Sequence, residues 1–265
     1  MTHALLTQTD IETFQKEGVV LVKGLLAGFV DLIRQGIAEN MANPGPFAAE
    51  NLKEGEAGRF FDDYCNWQRI PAFEQVIRES QAAVVAADLM GSDSVQLFHD
   101  HVLVKEPGTS KPTPWHSDGP YYFTSGLQNV SFWAPVDPVR EASLRCVAGS
   151  HLWPKPVLPT RWLSEAAFYP DQDAYMPVPD PDAEGMSVRE FEMEPGDAVA
   201  FNFNTLHGAR GNDAKARRRA FSLRFVGDDA RYTERPGPTS PPFPGHNMVE
   251  GQRLREDWFP VLYQR

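Results

Sequence analysis

Lys111-Pro-Thr-Pro-Trp-His-Ser-Asp-Gly-Pro-Tyr-Tyr122 is the stretch on which the reading of this chain turns. His116 and Asp118 stand two residues apart, and in an extended strand such residues point to one face. An imidazole nitrogen and a carboxylate oxygen placed that way can reach one metal ion together. A third ligand has to come from far along the chain. His207, in Phe203-Asn-Thr-Leu-His-Gly-Ala-Arg210, is the best candidate. Two histidines and one carboxylate on one face, with positions left open, form the donor set of non-heme Fe(II) sites. A His-x-Asp triplet is common by itself. Trp115 before it, Gly119-Pro120 after it and a distant His-Gly followed by arginines make the combination specific.

Around that stretch the texture is that of short strands separated by Gly and Pro. Strands are expected near 95–105, 113–118, 128–136, 144–148, 189–194, 198–204 and 218–226, with Glu194-Pro-Gly-Asp197 as a tight turn. The first 92 residues read as mainly helical. Thr9-Asp-Ile-Glu12 resembles a capping box for a helix that Gly18 stops. Val19–Val22 is a short strand, residues 27–42 a second helix, and Pro71 to Met90 one further helix with Pro71 in its first turn. Residues 47–69 carry aromatics and charges without a clear period and read as a loop on the core or a wall of a pocket. Strands after helices predict a mainly β (α+β) jelly-roll over 93–230 with N-terminal helices packed outside one sheet, all in a single domain spanning 1–265. A Pro-rich, acidic interruption at 152–188 is expected to be a lid-like or substrate-specificity loop, with a tolerated surface insertion as the alternative, and 231–265 a Pro-rich C-terminal wrap.

Composition narrows the function classes. The chain has 265 residues, 42% of them hydrophobic, and a formal charge of −11, which argues against nucleic-acid and anionic-membrane partners. Arg217-Arg-Arg219 is a local exception. Cys65 and Cys146 make no disulfide framework and read as free thiols. Neither a signal-peptide pattern nor a membrane-length apolar run appears, so the expectation is a soluble, cytoplasmic protein acting on a small molecule. The oligomeric state is not readable.

Alternation along 218–225 puts Arg218, Ala220, Ser222 and Arg224 on one face, and Arg219, Phe221, Leu223 and Phe225 on the other. The second face suits burial under helices. The first offers a guanidinium among small residues, suited to a carboxylate. Lys105 shares a strand face with His99, His101 and Leu103. It is either a second cation for a dicarboxylate or a strand-end lysine, and the two histidines read as core residues or supports of the metal ligands. His151 is expected to order a turn, with His3 and His246 at the surface.

Several pieces of the chain together resemble the phytanoyl-CoA dioxygenase family of Fe(II)- and 2-oxoglutarate-dependent oxygenases. They are Pro114-Trp-His-Ser-Asp118, Ser131-Phe-Trp133, Ala148-Gly-Ser-His151, Pro195-Gly-Asp197, His207-Gly208 and Arg218 with Ala220 and Ser222. The likeness extends over residues 9–230. It implies a double-stranded β-helix, a cupin-like barrel, holding Fe(2+) through His116, Asp118 and His207 as the catalytic centre. It also implies 2-oxoglutarate bound by Arg218, with Lys105 and Trp133 lining its site, and O2 as co-reactant. Ser117 stands beside this site where the family often has Gln. In related halogenases the carboxylate is replaced by a small residue, so Asp118 implies hydroxylation, with succinate and CO2 as co-products.

The substrate is open. Tyr121, Tyr122, Phe123 and Trp67 are candidates to bound its apolar part, and Arg59 to pair with an acidic group. Three rivals remain at this stage: a cupin-like metalloenzyme not using 2-oxoglutarate, a non-catalytic small-molecule-binding barrel, and a zinc hydrolase.

Overall fold

The computed structural model describes residues 4–140, 143–162, 166–170, 173–212 and 216–265. His3 and parts of the 152–188 insertion lie outside the described residues. The first helix, α1 (Gln8–Glu17), starts two residues earlier than the sequence suggested. Thr7 is its N-cap and exchanges hydrogen bonds with Asp10, while Gly18 ends it at φ 72°. A short 3-10 turn leads into α2 (Val30–Ala42). The expected single helix from Pro71 is two: α3 (Pro71–Glu79) and α4 (Ala82–Met90). Ser80 between them is extended, and its hydroxyl accepts from the Ala82 N–H at 3.4 Å, so the chain changes direction there. Buried residues run right round α4, as expected of a helix packed on all sides.

The strands, in chain order, are β1 (Val19–Val22), β2 (Ala49–Glu50), β3 (Phe60–Tyr64), β4 (Ser94–Lys105), β5 (Thr113–His116), β6 (Thr124–Ser125), β7 (Asn129–Pro135), β8 (Leu144–Val147), β9 (Val188–Glu190), β10 (Ala198–Phe201), β11 (His207–Ala209), β12 (Arg218–Val226), β13 (Arg231–Tyr232) and β14 (Val261–Gln264). A large antiparallel sheet runs β1-β10-β7-β12-β4-β3-β2, with β14 also on β4. A smaller sheet, β5-β11-β8-β9, faces it. Among the described residues the 233–245 part of the tail has no helix or strand, but the C-terminus returns to the large sheet as β14.

The large sheet has two different faces. Val102, Val104, Phe132, Phe221, Leu223 and Phe225 pack with Phe73, Ile37 and Val85 of the helices. The opposite face holds Trp133, Val199, Phe201 and Ala220 against Leu144 and Cys146 of the smaller sheet. The mainly β reading, with helices outside one sheet, is therefore the observed one. The basic cluster resolves along the same alternation. Arg217 pairs with Glu106 at 2.8 Å and Arg219 with Asp137 at 2.7 Å, while Arg218 turns inward and is 6% exposed.

One irregularity decides what the inner face of β4 carries. Arg224 pairs with His99 and Phe225 with Leu97, so Phe98 has no opposite residue on β12. Such a bulge shifts the alternation by one. Val95 and Leu97 point to the helices before it, and Val102 and Val104 after it. His99, His101 and Leu103 consequently line the interior.

In the 47–69 stretch the loop reading gives way to a strand, while the alternative reading, a wall of the pocket, matches the cavity lining. β3 pairs with β4 along its length. Phe61 faces the helical core, and Asp63 accepts from Asn40 Nδ2 at 2.7 Å and from the Gly45 N–H at 2.6 Å; Asp62 and Tyr64 line the interior. The pattern hid because each face of this strand carries one aspartate with its own partners.

Candidate metal centre and the cavity around it

Antiparallel pairing of β5 and β11 sets His116 directly opposite His207. Asp118 does not reach them along a strand, as i,i+2 alternation would have it. β5 ends at His116, and Asp118 sits in a helical turn at φ −76°, ψ −40°, opening the 3-10 segment Gly119–Tyr121. The Gly119 N–H donates to the Phe203 carbonyl at 2.8 Å and ties this turn to the segment leading into β11. A turn, not a pleat, brings the carboxylate back to the imidazoles.

The three side chains are buried, and their ligand atoms lie within 4.8 Å of one another. Asp118 Oδ1 is 3.6 Å from His116 Nε2 and 3.8 Å from His207 Nε2. Ligands at about 2.1 Å from a divalent ion stand about 3.0 Å apart when adjacent and about 4.2 Å when opposite, so the gap is of one-ion size. Both rings are latched from behind. His116 Nδ1 donates to the Pro114 carbonyl at 2.8 Å and His207 Nδ1 to the Thr205 carbonyl at 2.9 Å. A carbonyl only accepts, so each Nδ1 carries the proton and each Nε2 presents a lone pair, the usual arrangement behind a metal-ligating histidine.

Charge fits the same use. Burial and the neighbouring His116 ring push His207 down to about 3, which keeps it neutral and able to ligate. Burial alone would raise the Asp118 carboxyl, but His207, His116 and Arg224 hold it well below the usual carboxylate range. Tyr121 donates its hydroxyl to Asp118 Oδ1. Asp118 Oδ2 is buried without a hydrogen-bond partner, 3.8 Å from Arg224 Nη2. That donor set, with an orphaned carboxylate oxygen, fits a divalent metal.

The triad opens on a cavity of about 280 Å³. At one end Arg218 projects from β12, its guanidinium 5.7 Å from the Trp133 ring, with Leu144, Phe201 and Ala209 around it. At the other end lie His99, His101, Asp62 and Tyr64 of β3 and β4, with Phe47, Ser240 and Pro241. Thr160, Arg161, Trp162 and Phe168 of the 152–188 insertion complete this mouth. Tyr121 and Tyr122 line the cavity as well.

Other sequence candidates stand elsewhere. Lys105 does not line the cavity. Its ammonium donates to the carbonyls of Lys111 at 2.8 Å and Arg210 at 3.3 Å, and lies 4.4 Å from the Phe60 ring. Ser117 donates to the Asn204 carbonyl at 3.1 Å and braces the loop. Phe123 belongs to an aromatic cluster with Phe98, Phe203 and Phe259. Trp67 packs on the helical core under Arg78, and Arg59 forms a surface pair with Glu50. Sequence reasoning missed Arg224, Asp62, Tyr64 and Trp162. For Arg224 a signal existed, since it shares the inward face with Arg218.

A family model described as phytanoyl-CoA dioxygenase (PhyH) matches residues 14–220. Among solved structures the fold is similar to the non-heme alpha ketoglutarate dependent carbocyclase SnoK from nogalamycin biosynthesis, with TM-score 0.77 and 21% identity over 98% of each chain. It is also similar to the epimerase SnoN in complex with Fe3+, alpha ketoglutarate and nogalamycin RO, with TM-score 0.75 and 23% identity over 96% of this chain and 98% of that one. EctD from S. alaskensis with 2-oxoglutarate and 5-hydroxyectoine superposes with TM-score 0.70 and 18% identity, over 96% and 88% of the two chains. These likenesses describe the architecture, a double-stranded β-helix. No curated protein sequence matches this one. Among the described residues no helix is long and apolar enough to cross a membrane.

Proposed function

Because the chain belongs to the phytanoyl-CoA dioxygenase family, we propose that it is an Fe(II)- and 2-oxoglutarate-dependent oxygenase that hydroxylates a C–H bond of a small organic molecule. The observation that carries the reading is the pair of imidazoles latched through Nδ1, which turns both Nε2 lone pairs onto one buried carboxylate. When bound, iron and 2-oxoglutarate together supply the two-electron activation of O2, so that substrate, 2-oxoglutarate and O2 become hydroxylated product, succinate and CO2.

The chain's own residues provide position and charge. His116, Asp118 and His207 hold the ion, and the Pro114 and Thr205 carbonyls fix the ring orientation. The Tyr121 hydroxyl and the Arg224 guanidinium keep the Asp118 carboxylate ionised and in place. Arg218, seated over Trp133, would bind the distal carboxylate of 2-oxoglutarate, for which a guanidinium is suited. The aromatic mouth receives the substrate and excludes bulk water.

Anaerobic titration of the metal-free protein with Fe(II) and then 2-oxoglutarate tests this. A weak visible charge-transfer band should appear, and should be absent in His207→Ala. Iron bound without the band would favour a cupin-like metalloenzyme that does not use 2-oxoglutarate.

A further inference from the structure

We propose that the mouth of the cavity is a recognition site for a neutral, flat ring system that presents a hydroxyl to the paired imidazoles of His99 and His101. The two histidines share the inner face of β4 just beyond the Phe98 bulge. His99 Nδ1 lies 3.1 Å from the Asp100 carbonyl, which can only accept, so the proton is on Nδ1. Its Nε2 is then a bare acceptor, buried without a partner. His101 donates from Nε2 to Asp62 Oδ2 at 2.9 Å, leaving Nδ1 as its acceptor, and among the described residues no hydrogen bond reaches that atom. Burial first, and then the Arg224 charge, lowers the basicity of His99; burial likewise outweighs the Asp62 carboxylate at His101. Two neutral imidazoles, two residues apart on one face of β4, thus each keep an acceptor that no hydrogen bond among the described residues uses, and that of His99 is buried. A buried acceptor left unpaired costs about 1–3 kcal/mol, so the site favours a ligand with a donor.

Charge selects among donors. An ammonium would meet Arg224, the cross-strand partner of His99, buried and 5% exposed. A carboxylate would set lone pairs against lone pairs, beside Asp62 and Asp118. A hydroxyl donates without carrying charge. The surroundings select shape. Phe47 stacks on Tyr64 at 5.1 Å and 12°, Phe168 on Tyr121 at 5.2 Å and 18°, and Trp162 lies at 19° to His101. These near-parallel pairs present flat apolar faces on which a further flat ring can stack. Trp162 also meets His116 edge-on at 5.2 Å, so a ring held here lies beside the triad. Arg218 cannot serve the same group. Four residues of strand separate it from Ser222, opposite His101, and six from Arg224, opposite His99, about 13 and 20 Å at 3.3 Å per residue.

The binding claim stands on the mouth alone; that the bound ring is the substrate rests on the oxygenase reading. Calorimetric titration of the metal-free protein with 2-naphthol, 2-methylnaphthalene, 2-naphthoate and 2-(aminomethyl)naphthalene separates the possibilities. 2-Naphthol should bind at least about tenfold tighter than each of the others, one hydrogen bond's worth. His99→Phe and His101→Phe should each reduce that advantage while leaving the Fe(II)–2-oxoglutarate band intact. Equal binding of 2-naphthol and 2-methylnaphthalene, or tightest binding of either charged probe, would overturn the proposal. So would an advantage that survives in both variants. The wild-type comparison decides by itself if a variant does not fold. Discrimination without a charge-transfer band would sink the oxygenase reading and leave this site. The band without discrimination would do the reverse.

Discussion

The two ends of the cavity are built from different kinds of chain. The Arg218 end is made of strand side chains, from β7, β8, β10, β11 and β12, whose directions the pleat fixes. The mouth sets side chains of β3 and β4 against Phe47, the 152–188 insertion and Ser240-Pro241, and none of these last three is in a strand. Rigid elements hold reacting groups to tight tolerance, whereas connecting segments change shape at little cost to the scaffold. The reaction and the choice of substrate are thus placed on separable parts of one cavity, and substitutions at each end should have separate signatures.

The largest effect should come from the triad between them. His207→Ala removes one of three donors and should cost about 10³-fold or more in turnover, the scale of losing a metal's assistance, with loss of Fe(II) binding seen by anaerobic titration. Full iron binding in that variant would break the division at its centre. Next, Arg218→Ala should raise the 2-oxoglutarate dissociation constant about 100-fold, since charge-assisted hydrogen bonds contribute about 1.5–3 kcal/mol each, and leave iron affinity as it was. An unchanged cosubstrate requirement would remove Arg218 from its assigned end. Trp162→Ala should do the opposite: 2-naphthol binding weakens about tenfold, the scale of one aromatic contact, while iron and 2-oxoglutarate titrate normally. A change in 2-oxoglutarate affinity there would show that the two ends are coupled.

The last effect concerns stability, not binding or turnover. Burial, with the like charges of Arg218 and Lys111, pushes the Lys105 ammonium from 10.5 down to about 6. Between those values the folded protein binds fewer protons than the unfolded chain. Stability should therefore rise with pH through that window, by up to about 1.4 kcal/mol per unit. Lys105→Met has no such term, so its stability advantage over the wild type should shrink as pH rises from about 7 to 9, followed by urea unfolding. A constant difference would mean that Lys105 stays charged in the fold.

The Arg218 end was the legible one. His116, Asp118, His207, Trp133 and Arg218 sit in or beside strands whose alternation or turn residues are visible along the chain. Their assembly was still read through the wrong geometry, because nothing in His-Ser-Asp announces that the strand stops at His116. The mouth was hardly legible. In Phe60-Phe-Asp-Asp-Tyr64 each face holds one aspartate satisfied by a distant partner, which cancels the periodic signal. His99 and His101 looked like supporting residues because no pattern reveals a bulge at Phe98. Trp162 and Phe168 gain meaning only once an insertion folds back over β4.

That bulge gives the strand a phase. Upstream of Phe98, odd-numbered residues of β4 belong to the helices; downstream, even-numbered ones do. The frame is stored in one residue with no partner of its own, much as a single inserted base sets the reading of everything after it. Pairing that residue into a regular ladder would send His99 and His101 into the apolar interlayer and turn Asp100 toward the cavity, whereas deleting it would only straighten the strand and leave their faces as they are. Exchange of the Phe98 side chain would disturb only an aromatic cluster. At this position the way the residue is paired carries more information than its identity.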